Sequence, residues 1–286
     1  MSSDKSIRRR GVYLLPNLLT SAALFAGFYS VIAGIDGKFE TAAIAIIVAG
    51  FLDGLDGRVA RMTNTQSDFG EQYDSLSDLI SFGLAPALLA FNWSLSGLGE
   101  ISTLAGKLGW LAAFLFVACA ALRLARFNTQ AGIADKRYFQ GLASPAAAGT
   151  LVFTIWFFVD NGVAGDTVSW LIFFEVIVLG ILMFSNVRYL SFKGSSGDEK
   201  VPGVWVLLAV LIIVLVALDP PIMGMILGIV YVLSGIVVTV AGRRNWKLKR
   251  GHRSPKESKT DPQTEPVLSL KEGDRDQDSD VDSPNA

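Results

Sequence analysis

Residues 53–78 read DGLDGRVARMTNTQSDFGEQYDSLSD, and this stretch decides how the rest of the chain is read. Asp53 and Asp56 are three residues apart, and Asp74 and Asp78 are four apart. On helices, both spacings put the two carboxylates on one face, about one turn from each other. Two such helices packed face to face gather four carboxylates in one pocket. Like charges at that density need compensation in a low-dielectric setting. An all-oxygen ligand set suits Mg²⁺ or Mn²⁺. Gly57, Ala60 and Gly70 are small residues at the same seam and leave room for a ligand or for close helix contact. Arg61 supplies a fixed cation of the kind that pairs with phosphate.

The sequence around this stretch is strongly apolar. Of 286 residues, 51% are hydrophobic and 18% charged, and the mean hydropathy is +0.44. That balance predicts an all-α polytopic membrane protein rather than a soluble domain. The formal net charge of −1 says nothing about partners. Cys119 is the only cysteine and lies in an apolar run, so an intrachain disulfide is excluded and a small core residue is expected. His252 is the only histidine and lies in a basic tail, which excludes a histidine metal site or a Ser-His triad in the apolar part.

Taken in order, residues 1–12 form a basic segment carrying Arg8, Arg9 and Arg10. The apolar stretch after them is long and without a clear cleavage site, so it reads as a retained helix. About eight transmembrane helices are predicted, at 13–34, 40–61, 69–92, 107–128, 145–159, 167–187, 202–218 and 222–241, each approaching the ~20 residues of a bilayer crossing. Thr63–Asp68 reads as a loop with a helix cap, Ser96–Gly106 as a Gly/Ser loop, and Thr129–Ser144 and Arg188–Val201 as polar loops. Residues 13–241 then form one transmembrane catalytic domain. Residues 242–286 are a basic stretch followed by a disordered tail rich in Ser, Pro, Asp, Glu and Lys. With eight spans both termini share one side. That side holds nearly all the basic residues, so it is assigned to the cytoplasm and the acidic cluster opens there.

Intramembrane carboxylates are costly and point to function. Four of them at an aqueous-facing seam suit phosphoryl chemistry, with metal neutralising diphosphate oxygens and one carboxylate left to take a proton from an attacking hydroxyl. Asn17 and Thr20 are candidate nucleotide contacts, with helix capping as the competing role. Arg123 and Arg126, near a cytoplasmic helix end, are candidate partners for a carboxylate of the acceptor, with positive-inside flanking as the competing role. A divalent-cation transporter is the alternative from another class. It requires polar residues continuing across the membrane, whereas the helices are apolar before Leu52 and after Ile80.

The pattern D-x2-D-G-x2-A-R-x8-G-x3-D-x3-D is complete in Asp53, Asp56, Gly57, Ala60, Arg61, Gly70, Asp74 and Asp78. It resembles the signature of the CDP-alcohol phosphatidyltransferase family. The resemblance implies Asp53, Asp56 and Asp74 as ligands of Mg²⁺ or Mn²⁺, two ions in all, with Asp78 as both ligand and general base. It implies a CDP-lipid site lined by Gly57, Ala60, Arg61 and Gly70, and a homodimer in the bacterial inner membrane. Further stretches, PNLLT at 16–20, SFGLAPA at 81–87, ALRLARFN at 121–128, FQGLASPAAA at 139–148 and FSNVRYLSFK at 184–193, resemble the phosphatidylserine synthase branch. That resemblance covers about 12–193. It implies CDP-diacylglycerol and L-serine as substrates, with phosphatidylserine and CMP as products. Inositol phosphate or glycerol phosphate are the alternative acceptors.

Overall fold

The computed structural model describes residues 2–130, 138–190, 214 and 217–251. The fold is all-α, with one small strand pair among the described residues. The helices are α1 (Ser2–Ile35), α2 (Phe39–Thr63), α3 (Asp68–Asp78), α4 (Ala85–Trp93), α5 (Leu98–Ile101), α6 (Thr103–Gln130), α7 (Ser144–Asp160), α8 (Ser169–Phe184) and α9 (Pro220–Gly251). Among the described residues, five stretches are long and apolar enough to cross a membrane: 15–35, 68–93, 103–129, 165–184 and 220–239. A shorter apolar helix occupies 144–160. With the apolar first half of α2, these match seven of the eight expected spans. The seventh expected span, 202–218, falls mostly outside the described residues, as does the tail from 252.

The basic segment before residue 13 is helical and continuous with α1. Two differences from the sequence reading have local causes. The expected Gly/Ser loop at 96–106 is mostly helical, and Ser102 starts α6 early by accepting the Ala105 N–H at 3.1 Å. The polar loops after α6 and α8 pair with each other as strands β1 (Tyr138–Gln140) and β2 (Arg188–Leu190), antiparallel, with Phe139 opposite Tyr189. Gly141 follows β1 with φ +83°, and a Cβ there would strike the Met183 carbonyl oxygen, so only glycine closes this junction.

The α2–α3 hairpin is specified locally. Asn64 ends α2 in the left-handed conformation, at φ 51°, which a short polar side chain tolerates. Ser67 caps α3 by accepting the Gly70 N–H at 3.1 Å, and Asp68 and Glu71 lie in the first turn, where the helix dipole favours acids. The expected loop and cap are therefore present. The third span is one rod broken by a π-helical segment, Leu79–Leu84, directly after Asp78.

Small residues bring the helices close, as apolar surroundings demand when lipid offers no hydrophobic drive between them. Ala42, Ala43, Ile46 and Ala49 of α2 are buried with Phe82 of the π segment and Ala85 and Leu89 of α4. A Cβ on Gly27 of α1 would lie 2.8 Å from Ser81 Cα. On α9, a Cβ on Gly224 would strike the Phe153 ring of α7, and one on Gly228 would come 3.0 Å from Thr150 Cα. Large apolar side chains such as Phe25, Phe28 and Ile32 of α1, Phe114 of α6 and Phe174 of α8 are exposed, as expected of lipid-facing surface. The chain is a multi-pass membrane protein. Gly27→Ala is expected to cost about 1–3 kcal/mol by overpacking and to lower the thermal midpoint in detergent. Gly149→Ala adds a methyl that meets nothing within 4 Å and should leave the midpoint level or raise it.

Candidate active site

The turn between α2 and α3 folds the two acidic faces against each other. Carboxylate oxygens of Asp53, Asp56 and Asp74 all lie within 4.8 Å of one another. The Asp53 carboxylate also meets that of Asp78, which stands at the edge of this trio. Asp56 is buried, and the Thr20 hydroxyl of α1 donates to its Oδ2 at 2.7 Å, with the Pro16 carbonyl at 3.1 Å as the alternative acceptor. Thr20 thus takes a role on the carboxylate itself.

The remaining oxygens are poorly served. Asp74 Oδ1 and Asp78 Oδ1 are buried without a hydrogen-bond partner. Leaving buried anionic oxygens unpaired is expensive. A hard divalent cation satisfies several at once and cancels the mutual repulsion. The residues therefore fit a divalent cation such as Mg²⁺ or Mn²⁺ bound by oxygen alone.

The small residues of the pattern have distinct neighbours. Gly57 faces the Arg61 side chain one turn on, where a Cβ would meet Nη1 at 3.6 Å. Gly70 sits against Asn17, whose Oδ1 would be 3.5 Å from a Cβ there. Ala60 is half-buried on α2, and Arg61 is exposed beside it. Asn17, Thr20, Asp53, Asp56, Asp74 and Gly70 therefore share one region at the α1–α2–α3 junction.

The two arginines of α6 part ways. Arg123 Nη1 donates to Ser144 Oγ at 2.9 Å, and its Nε is buried without a partner. Arg126 Nη1 lies 3.2 Å from the Phe184 carbonyl and 3.4 Å from Asn186 Oδ1, with the guanidinium 5.4 Å from the Phe184 ring centroid. Arg126 therefore fastens the end of α6 to the end of α8.

Several side chains that frame the site were not singled out individually in the sequence, although Ser81 and Asn128 lie in the quoted stretches 81–87 and 121–128. Ser21 of α1 pairs with the Tyr73 hydroxyl at 2.9 Å. Ser77 of α3 donates to the Thr20 carbonyl at 3.3 Å, and Ser81 to the Ala23 carbonyl at 3.2 Å. Asn128 Nδ2 donates to Ser75 Oγ at 3.0 Å. Serines and an asparagine in apolar helices are too common to single out before their partners are known. Away from the site, the largely buried Glu175 of α8 accepts from Thr154 Oγ1 at 2.9 Å.

Deep to the cluster the seam is closed by Ile46, Ala49, Phe82 and Ala85, all buried. The polar cluster therefore does not continue along the seam past these residues.

A family model described as CDP-alcohol phosphatidyltransferase matches residues 13–183. A CDP-diacylglycerol--serine O-phosphatidyltransferase of Helicobacter pylori is 38% identical over 192 residues, covering 66% of this chain and 77% of that protein. A protein of the same name from Methanocaldococcus jannaschii is 31% identical over 234 residues, covering 82% of this chain and 98% of its own length. An archaetidylserine synthase of Methanothermobacter thermautotrophicus is 35% identical over 193 residues, covering 66% of this chain and 74% of that protein. The match of 234 residues is too long to end at residue 193, so similarity extends beyond the stretch that the motifs cover.

Mn²⁺ titrated into the full chain in detergent and followed by electron paramagnetic resonance should bind. Thr20→Val should weaken binding about tenfold, as loss of an orienting partner does. Asp53→Asn and Asp74→Asn should each weaken it further.

Proposed function

The chain belongs to the CDP-alcohol phosphatidyltransferase family, and on that premise we propose that it transfers the phosphatidyl group of CDP-diacylglycerol to the hydroxyl of L-serine, in phospholipid biosynthesis. The supporting observation is the carboxylate cluster with Asp78 at its edge, an acid adjacent to the ligand trio rather than enclosed by it. The serine acceptor is supported by the names of the relatives.

Asp53, Asp56 and Asp74 would hold Mg²⁺ or Mn²⁺, with Asp78 as a further ligand. When bound, the metal supplies charge neutralisation for the diphosphate and its departing half. Asp78 takes the proton from the serine hydroxyl. The serine oxygen forms a bond to the phosphorus that carries the lipid. The bond from that phosphorus to the bridging oxygen breaks, and its electron pair leaves with CMP. Arg61 steadies the phosphates of the CDP moiety from the aqueous side. Gly57, Ala60 and Gly70 give the nucleotide close access to the backbone, and Asn17 offers an amide beside Gly70. Thr20 keeps Asp56 oriented.

The basic loops favour an inner-membrane protein with both termini and the site on the cytoplasmic side. The exposed apolar helix faces leave room for the lipid tails and for a second copy in a homodimer.

The assay is CMP release from CDP-diacylglycerol with Mn²⁺ and a panel of L-serine, inositol phosphate and glycerol phosphate. Serine should be the productive acceptor. Asp78→Asn should keep CDP-lipid binding and lose about 10²–10⁴-fold in turnover. A full rate in that variant would remove Asp78 as the base. Mn²⁺ uptake into proteoliposomes lacking CDP-lipid would argue for transport instead.

A further inference from the structure

Arg123 takes no part in the chemistry at phosphorus, yet its surroundings are unusual. One donor is spent on Ser144 Oγ at 2.9 Å, while Nε is buried with no partner. Two contacts fix the height of Arg123 along the bundle. Asn128 of α6 meets Ser75 of α3 at 3.0 Å, and a Cβ on Gly83 would lie 3.3 Å from Ala120 Cβ. The two rods therefore run antiparallel, and Arg123 on one and Asp78 on the other both fall between these levels. Each side chain senses the charge of the other. They form no ion pair at the 4.0 Å contact distance, so a gap separates the cation from the acid.

The last described helix closes the same place. The contacts of Gly224 with Phe153 and of Gly228 with Thr150 set α9 antiparallel to α7. One turn beyond Gly228, Tyr231 comes level with the first turn of α7, where Ser144 holds Arg123. Tyr231 and Arg123 accordingly interact electrostatically. Tyr231 lies outside residues 13–183, the part matched by the family model.

We infer that Arg123, held by Ser144 and flanked by Tyr231, is the anion-recognising half of the acceptor site, and that it takes the carboxylate of the acceptor while the acceptor hydroxyl faces Asp78. This rests on the proposed transfer to serine and specifies how that acceptor is recognised. A guanidinium with a spare buried donor is matched by a planar carboxylate, which accepts two parallel hydrogen bonds. Burial without an anion leaves the cation poorly compensated, so the site gains most from a negatively charged acceptor. Asp78 stands between Arg123 and the trio, which puts Arg123 on the acceptor side of the base and leaves the diphosphate to the metal ligands and Arg61. Arg126, occupied with Phe184 and Asn186, is assigned no part in this recognition.

The test uses the full chain in lipid–detergent micelles with CDP-diacylglycerol and Mn²⁺. KM for serine, KM for CDP-diacylglycerol and kcat are measured separately, and L-serinamide, which lacks the carboxylate charge, is the competitor. Arg123→Gln should raise the serine KM at least about 100-fold, the usual order for losing one side of a buried charge pair. The CDP-diacylglycerol KM should stay within about threefold, and the preference for serine over serinamide should collapse. Tyr231→Phe should raise the serine KM about 5–10-fold, the scale of one hydrogen bond. The rise in thermal midpoint that serine gives the wild type loaded with CDP-diacylglycerol should vanish in Arg123→Gln. An unchanged serine KM overturns the inference, as does a parallel loss in the CDP-diacylglycerol KM with the serine/serinamide preference intact. A wild type that releases no CMP with serine but does so with a phosphorylated alcohol instead overturns the proposed reaction, and the carboxylate assignment falls with it.

Discussion

Mutual repulsion among carboxylates is the constraint on which this structure turns. Three aspartates with oxygens inside 4.8 Å, and a fourth at their edge, do not stay together in an apolar bundle by themselves. Their placement has to be imposed by the surrounding fold, and their charge relieved by a proton or by a cation of the kind the oxygen cluster fits. The framework around them is correspondingly close: α1 presses on the π segment through Gly27, and Thr20 ties Asp56 back to α1. Packing energy spread along three helices holds a concentrated charge that local interactions would disperse.

The π segment belongs to the same device. It begins at the residue after Asp78, and its Ser81 and Gly83 face α1 and α6 respectively. A π turn adds a residue to the helical repeat and rotates the turns beyond it. The acidic face of α3 can then point at α2 while the apolar remainder of the rod packs as a membrane span. The polar and lipid-buried halves of one helix are thereby served by different rotations.

Much of this was legible beforehand because helical spacing and charge are local properties. The Asp53/Asp56 and Asp74/Asp78 spacings imply two acidic faces, and the polar run between them implies the turn that brings the faces together. Ser67 and Asn64 carry the cap chemistry of that turn in their own side chains. The π turn, the β1–β2 pair and the helical content of 96–106 were not legible. Each depends on partners distant in the chain or on backbone choices between nearly equal hydrogen-bonding schemes. Ser75 and Asn128, 53 positions apart in sequence, show no tie to each other until the chain is folded.

The sequence by itself determined the membrane class and the spacing that puts two carboxylates on each of two helix faces, since both follow from composition and periodicity. Tertiary structure alone decided which arginine is spent on packing and which keeps a buried donor open. It also decided that a tyrosine on the last helix arrives beside that donor. Those outcomes depend on how far one helix is slid along another, a quantity set by the summed fit of many side chains and written in no single stretch of residues.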